Sequence, residues 1–268
     1  EKTLGSPGAS AFGITVGASD AAISIPTFSA TSGNKSFESM KLLGKNFTDD
    51  LTSYEGLTFP VVYAGLGKPE ELTNVSGKIA LIERGELTFD AKILNAKNAG
   101  AAAVIIFNNV DGEIPAYLGE NIKYLPAFQL SKADGEYLKG QISLTFNQLA
   151  SVKTEGDSLA DFSSRGPVHS NYDIKPDLTA PGVSIFSTYP EFVNNPADGV
   201  DYSSAYARIS GTSMATPHIA GVAALMLQQN PDMDPFAVKT ALMNTSDDLK
   251  NDYSVFEVGA GRVDAYQA

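Results

Sequence analysis

Ser213, in the segment "GTSMA", has the surroundings of a nucleophile. A serine hydroxyl attacks a carbonyl group only when a neighbouring base removes its proton. The apolar run after it predicts a helix, and a serine at a helix N-terminus has a free backbone N–H that can stabilise an oxyanion. The small residues Gly211 and Ala215 leave room for a substrate backbone. The pattern is suggestive of acyl transfer, while the simpler interpretation is that Ser213 only caps the helix.

A base for this serine is harder to find. The chain contains two histidines, His169 and His218, and neither stands where the base is expected. His169 lies in the loop after "SSRGP" and is interpreted as a surface residue. Aspartates are plentiful, but without a base to orient they have no role in such chemistry. The residues alone therefore leave open an enzyme, part of an enzyme, or a binding protein.

Composition narrows the classes of partner. With 19 basic and 31 acidic residues the formal net charge is -12, which argues against nucleic-acid binding. Cysteine is absent, which excludes disulfides and thiolate metal sites. No apolar run reaches the roughly 18 residues of a membrane span. The chain opens on "EKTLGSPGAS", without an initiator Met or a signal peptide, and this predicts a fragment or a processed chain.

The helix that holds Ser213 is predicted from apolar periodicity. Apolar residues recur at i, i+3, i+4 and i+7 from Ile219, which predicts a helix over 213–229. Leu225 and Leu227 make this helix apolar on most sides, so we expect it to be buried centrally. Pro217 is compatible with the helix because it falls in the first turn.

The flanking segments predict short strands, loops and a second helix. "FGITVGA" has a β-branched strand pattern, and "IKPDLTAPGVSIFST" predicts strands and loops punctuated by glycine and proline. A loop is predicted over 190–205, before the serine segment. "PDMDPFAVKTALMNTS" predicts the second helix.

Residues 61–147 contain a separate series of predicted strands and helices. "GKIALIERG" and "AAAVIIFNN" predict buried strands, and "ISLTF" predicts a closing strand. "FDAKILNAKNAG" predicts a helix, with Phe89, Ile93 and Ala96 at helical spacing and Gly100 as C-cap. "KADGEYLKGQ" predicts a second, short helix. We expect a compact α+β unit with its own core and, since it holds no histidine, without chemistry.

The whole stretch "GTSMATPHIAGVAAL" resembles the serine motif of the subtilisin-like serine proteases (subtilases). "DFSSRGP", "KPDLTAPG" and "GAGRVDA" resemble further family segments in the family's order, and "TLGSPGASAFGITVGA" resembles the segment after the family's oxyanion asparagine. Residues 27–151 resemble the protease-associated (PA) domain that some subtilases carry as an insertion. The architecture is similar to that of the Vpr-like and lactocepin-type proteases.

The resemblance implies an α/β fold. Residues 1–26 and 152–268 would form the C-terminal half of a doubly wound, mostly parallel sheet, interrupted by the inserted α+β PA domain over 27–151. Half of such a sheet exposes apolar helix surface and strand edges. We therefore expect a rearranged fold or a partner that covers the open side, either an N-terminal fragment carrying Asp and His or a second copy of the chain.

The resemblance also implies roles for single residues. Ser213 would be the catalytic nucleophile, with its own N–H as one oxyanion donor. Gly5 would line the floor of the pocket for the substrate's P1 side chain, Gly211 would belong to the backbone edge beside the nucleophile, and Met214 would border the leaving-group side. His218 matches a histidine of the motif that supports the site from inside the helix and is not the base.

The family's triad runs Asp, His, Ser along the chain, and the D-x-G and H-G-T-H segments are absent here. The prediction is therefore the serine-bearing part of a secreted or cell-wall-associated endopeptidase, which cleaves peptide bonds through an acyl-enzyme and is inactive alone. The alternative is a non-catalytic protein-binding fragment that acts through the PA domain.

An α/β-hydrolase is disfavoured because its elbow reads G-x-S-x-G and Ala215 breaks that pattern. No cofactor is predicted. Subtilases often bind calcium as a structural ion, but no stretch has the spacing of a dedicated calcium loop and no ligands are assigned.

Overall fold

The structure is a computed structural model and describes residues 2–115, 118–194 and 205–268. These residues form two compact units. The first, here called the serine unit, consists of Glu1–Ile23, Glu155–Ile185 and Ile209–Ala268. The second, called the barrel unit, consists of Ser24–Thr154 and Phe186–Arg208.

The elements follow one another in a mixed α/β order. The strands are β1 (Val16–Ser19), β2 (Ser24–Ser32), β3 (Lys35–Lys45), β4 (Thr58–Tyr63), β5 (Ile79–Glu83), β6 (Ala103–Phe107), β7 (Gly119–Glu120), β8 (Ala127–Leu130), β9 (Ser143–Lys153), β10 (Leu178–Pro181), β11 (Ile185–Thr188) and β12 (Tyr206–Ile209). The helices are α1 (Phe89–Asn98), α2 (Lys132–Lys139), α3 (Glu191–Asn194), α4 (Thr212–Gln229), α5 (Pro235–Asn244) and α6 (Val255–Val258). The predicted loop 190–205 includes α3, and its residues 195–204 lie outside the described residues. Among the helices described, none is long and apolar enough to cross a membrane.

A parallel strand pair and a long helix form the core of the serine unit. β1 pairs with β10, with Val16 opposite Leu178, and α4 packs on both strands. The shared core contains Ala18 and Ala180 from the strands and Ile219 from the helix, together with residues of α5. A mostly parallel sheet was predicted for this unit. In the residues that the structure describes, that sheet is represented by the parallel pair β1–β10.

The helix predicted over 213–229 is confirmed as α4, but the prediction that it is buried centrally is wrong. One side of it is buried, at Ala215, Ile219 and their neighbours one turn on. On the other side Leu225 is 61% exposed and Leu227 39% exposed. The physical reason is that two strands and α5 cover only part of a helix's circumference.

A buried ion cluster joins three segments of the serine unit. Asp177 accepts hydrogen bonds at Oδ2 from the Nζ of Lys175 (2.6 Å) and the N–H of Thr15 (2.7 Å), and its Oδ1 lies 2.8 Å from Nζ of Lys239. Both lysines also donate to the carbonyl of Gly13, at 3.0 and 3.2 Å. Burial lowers the pKa of Lys175, and the Asp177 carboxylate opposes that shift.

The strands of the barrel unit close on themselves. In the order β3, β2, β9, β4, β5, β6 and β8 each strand pairs with the next, and β8 returns to pair with β3. β4, β5, β6 and β8 are parallel neighbours, whereas β2, β3 and β9 are antiparallel. Closure removes the open edges of these strands. The predicted domain borders at residues 27 and 151 both fall inside strands, β2 and β9, which pair from Ser24 opposite Lys153 onward.

Two apolar layers stabilise this closed sheet. Inside it, the rings of Phe28, Phe128 and Phe146 contact one another at centroid distances of 5.1 to 5.7 Å. Outside it, α1 packs Ile93 and Ala96 against the strands. The predicted helix is confirmed, and it ends just before Gly100, whose φ of +80° is the left-handed conformation that favours glycine.

Candidate active site

Ser213 lies exposed in the first turn of α4. The N-cap residue Gly211 donates its N–H to the carbonyl of Gly182 at 2.8 Å and accepts a hydrogen bond from the N–H of Met214 at 2.9 Å. The first N–H groups of a helix have no acceptor within the helix. None of the hydrogen bonds of the described residues uses the N–H of Ser213. The nucleophile candidate therefore presents both a hydroxyl and a free backbone donor.

Gly182 places the start of α4 against β1. Its N–H donates to the carbonyl of Ser19 at 2.8 Å, while its own carbonyl accepts from Gly211. A Cβ at position 182 would lie 2.7 Å from the Cβ of Ala18 and 2.8 Å from the Gly211 carbonyl oxygen, so only glycine fits. Gly182 is the last residue of the subtilase-like segment "KPDLTAPG", and no role was predicted for it from the sequence. Its position after a proline was the available signal.

The residues predicted to bind substrate are only partly brought together. Gly211, Ser213 and Met214 share the N-terminus of α4, and the sulfur of Met214 lies 3.4 Å from where a Cβ on Gly211 would be. Gly5 lies in the N-terminal loop, where its carbonyl accepts from the N–H of Ala9 at 3.0 Å and an added Cβ would meet open space. No hydrogen bond of the described residues joins Gly5 to the other three.

Both histidines are described, and neither bonds to Ser213. His218 is exposed, and its Nδ1 lies 2.9 Å from the carbonyl oxygen of Met214. The prediction that His218 is packed inside is therefore wrong, because it lies on the uncovered side of α4. His169 is exposed, as predicted. Neither imidazole is therefore hydrogen-bonded to Ser213 in the part of the chain that the structure describes.

A metal site is not evident in the part of the chain that the structure describes. There, no three or more His, Asp or Glu side chains cluster in a way that could hold a metal ion. The calcium implied by the family resemblance therefore stays a prediction without assigned ligands.

Comparison with known proteins identifies the family. Residues 1–261 match the model of the Subtilase family. The chain belongs to the subtilases. This subtilase is 39% identical over 257 residues to the minor extracellular protease Vpr of Bacillus subtilis, an alignment that covers 93% of the chain and 30% of Vpr. The subtilisin-like, Vpr-type recognition from the sequence motifs is confirmed.

Two further relatives are also named as peptidases or proteinases. A C5a peptidase of Streptococcus pyogenes is 39% identical over 228 residues, covering 78% of the chain and 19% of the peptidase. A PI-type proteinase of Lactococcus lactis subsp. cremoris is 35% identical over 227 residues, covering 73% and 11%. The subtilase chain spans less than a third of the length of each of these relatives.

Proposed function

We propose that this chain is the serine-bearing part of a subtilisin-like endopeptidase and that Ser213 is its nucleophile. The observation that carries the proposal is the exposed Ser213 in the first turn of α4, with its N–H unused, in a chain of the subtilase family. Oγ would attack the carbonyl carbon of a peptide bond, and the N–H would donate to the oxyanion. The acyl-enzyme would then be hydrolysed by water.

The base comes, in this proposal, from polypeptide outside these residues. This is supported by the positions of the two histidines, since one bonds to the Met214 carbonyl and the other lies in an exposed loop. We propose that an N-terminal polypeptide of the same protease supplies Asp, His and the oxyanion Asn. The exposed Leu225 and Leu227 support this proposal, because an apolar helix side of that size is stabilised when another layer covers it.

The substrates would be extended peptide segments of proteins. Gly211 would form the backbone edge beside the nucleophile, Met214 would border the leaving group, and Gly5 would line the pocket for the P1 side chain. We propose a secreted or cell-wall-associated enzyme, which is supported by the relative that is named an extracellular protease.

We further propose that residues 27–151, which make up most of the barrel unit, are an inserted PA domain. Its closed sheet and its separate aromatic core support an independent module. In the alternative function, this module alone would bind protein, and Ser213 would be vestigial.

The test is labelling with a fluorophosphonate, which reacts with activated serines, followed by intact mass spectrometry. We expect the chain to be labelled at Ser213 only when the N-terminal polypeptide of the same protease is present. Ser213→Ala should abolish labelling, and Ser76→Ala, which changes an exposed serine of the barrel unit, should leave it intact.

Three outcomes would contradict the proposal. Absence of labelling in the complete protease would favour the binding-protein alternative. Labelling of the chain alone, as a monomer by native mass spectrometry, would show that the base need not come from elsewhere; labelling of a dimer would assign the base to a second copy.

A further inference from the structure

A small cleft in the barrel unit is lined by a buried amide without a partner. Gln129 in β8 is 4% exposed, and neither its Oε1 nor its Nε2 has a hydrogen-bond partner among the described residues. The cleft has a volume of about 30 Å³. Its other lining residues are Ser39, Lys41, Glu113, Leu130, Ser131 and Asp134.

The strand geometry explains why Gln129 points into this cleft. Side chains alternate between the two faces of a strand. Phe128 points into the aromatic core inside the closed sheet, so Gln129 points to the outer face, beside Ile106 of β6. Pairing of β8 with β3 on its other side brings Lys41 and Ser39 to the same cleft.

The charges at the rim already neutralise each other. Nζ of Lys41 lies 2.6 Å from Oε2 of Glu113, and Nζ of Lys35 lies 2.5 Å from Oδ1 of Asp134. Ser131 accepts the N–H of Asp134 at 3.1 Å, as the N-cap of α2. A free ion would gain little in such a cleft. The groups that have no hydrogen-bond partner are one neutral donor and one neutral acceptor, both on the amide of Gln129.

The chemical complement of that pair is another amide. A carboxamide offers donors and an acceptor in one plane, and its burial is unfavourable unless both are paired. A group with one N–H and one C=O at matching spacing would satisfy both atoms of Gln129 together. The cleft has room for such a head group, since a single water needs about 10–15 Å³ of such volume.

We propose that this Gln129 cleft binds one amide group of a peptide chain. The group is either the N–H and C=O of one extended residue or the carboxamide of an Asn or Gln side chain. The proposal goes beyond the peptidase function and does not use Ser213, since every lining residue belongs to the barrel unit. It gives that unit a contact for unfolded or extended protein.

The test is a titration of the full chain, labelled with ¹⁵N at glutamine side chains and observed by NMR. The probes are propionamide, a capped alanine dipeptide for the backbone source, and propionate, which has the same size as propionamide but no N–H. We expect saturable shifts of the Gln129 side-chain signals with at least one amide. Propionate should bind at least about tenfold more weakly than that amide. The signals of exposed Gln148 should not move.

Gln129→Met identifies the signals and should remove the response while leaving fluorophosphonate labelling of Ser213 in the complete protease unchanged. Because the titration uses the unaltered chain, its result does not depend on how well the variant folds. Which amide binds decides the source of the group. Equal shifts with propionate, or no saturable shift with either amide, would overturn the proposal and leave a cleft filled by water only.

Discussion

Nζ of Lys239, on α5, lies 2.8 Å from Oδ1 of Asp177, immediately before β10, and Asp177 is 5% exposed. Lys175 pairs with the other oxygen of the same carboxylate. One buried carboxylate therefore neutralises two lysines from different segments of the serine unit. Its loss would leave buried positive charge, which costs more than the loss of one hydrogen bond.

Asp177→Asn should destabilise the serine unit by about 3–5 kcal/mol, because it leaves the buried Lys175 and the partly buried Lys239 without a counter-charge. Urea unfolding monitored by circular dichroism would measure the change. Asp161→Asn, at an exposed aspartate of the same unit, should change the free energy of unfolding by less than about 0.5 kcal/mol. Equal effects of the two substitutions would show that the buried cluster contributes little.

Two helix glycines should respond oppositely to alanine. A Cβ on Gly135 of α2 would lie 2.1 Å from Cγ of Phe107, whereas a Cβ on Gly221 of α4 meets no atom within 4 Å. Gly135→Ala should therefore destabilise the barrel unit by about 1–3 kcal/mol through overpacking. Gly221→Ala should stabilise the chain alone by about 0.5–1 kcal/mol through helix propensity. Thermal unfolding of both variants tests the pair. A stabilised Gly135→Ala would contradict the close packing around Gly135, and a destabilised Gly221→Ala would contradict the open space around Gly221.

Stability at alkaline pH should depend on Lys92. This lysine is fully buried in α1 and donates to the carbonyls of Leu66 and Glu83, the latter at 2.9 Å. Burial lowers its pKa in the folded chain. Between that lowered pKa and the unfolded value of about 10.4, the unfolded chain binds more protons, so this contribution to stability rises with pH.

Lys92→Met removes that titration. The stability of the wild type minus that of Lys92→Met should therefore increase from pH 7 towards pH 10, as measured by urea unfolding at each pH. The two carbonyls that lose their donor add an offset that does not change with pH. A difference that stays flat or falls with pH would contradict a lowered pKa.

Leu225→Gln should separate folding from association. Leu225 is 61% exposed, so the free energy of unfolding of the chain alone should change by less than about 0.5 kcal/mol. Association with the N-terminal polypeptide should weaken by about tenfold or more, because a buried contact would lose its apolar group. Ile142→Gln, at an 86% exposed residue of the barrel unit, is the matched control for a titration by calorimetry. Equal binding of both variants would place the partner elsewhere.

Local patterns of the sequence predicted the elements well. The spacing of Phe89, Ile93 and Ala96 predicted α1, and the apolar runs predicted β5 and β6. The subtilase motifs pointed to Ser213, and the structure places that residue at a helix start. These features depend on neighbours along the chain, which the sequence displays directly.

Features set by distant segments were not predicted. Lys92 is a polar residue within the predicted helix, and nothing in the helical pattern marks it as buried. In the structure its Nζ donates to carbonyls of two other segments. The return of β8 to β3 closes the sheet, and it also buries Gln129. Exposed apolar helix surface was expected for half of a sheet, but which residues of α4 are exposed depends on how many strands cover it. Each of these features depends on contacts between distant segments, which a single sequence does not reveal.

The ladder between β2 and β9 begins with Ser24 opposite Lys153, so the main segment of the barrel unit leaves within one strand spacing of where it enters. In the serine unit, the N–H of Asp20 likewise donates to the carbonyl of Ser158 at 2.9 Å. A segment whose two ends lie side by side does not change the course of the residues before and after it, whatever the length of the segment. The distance between the two ends of Ser24–Thr154 therefore places no demand on the length of that segment.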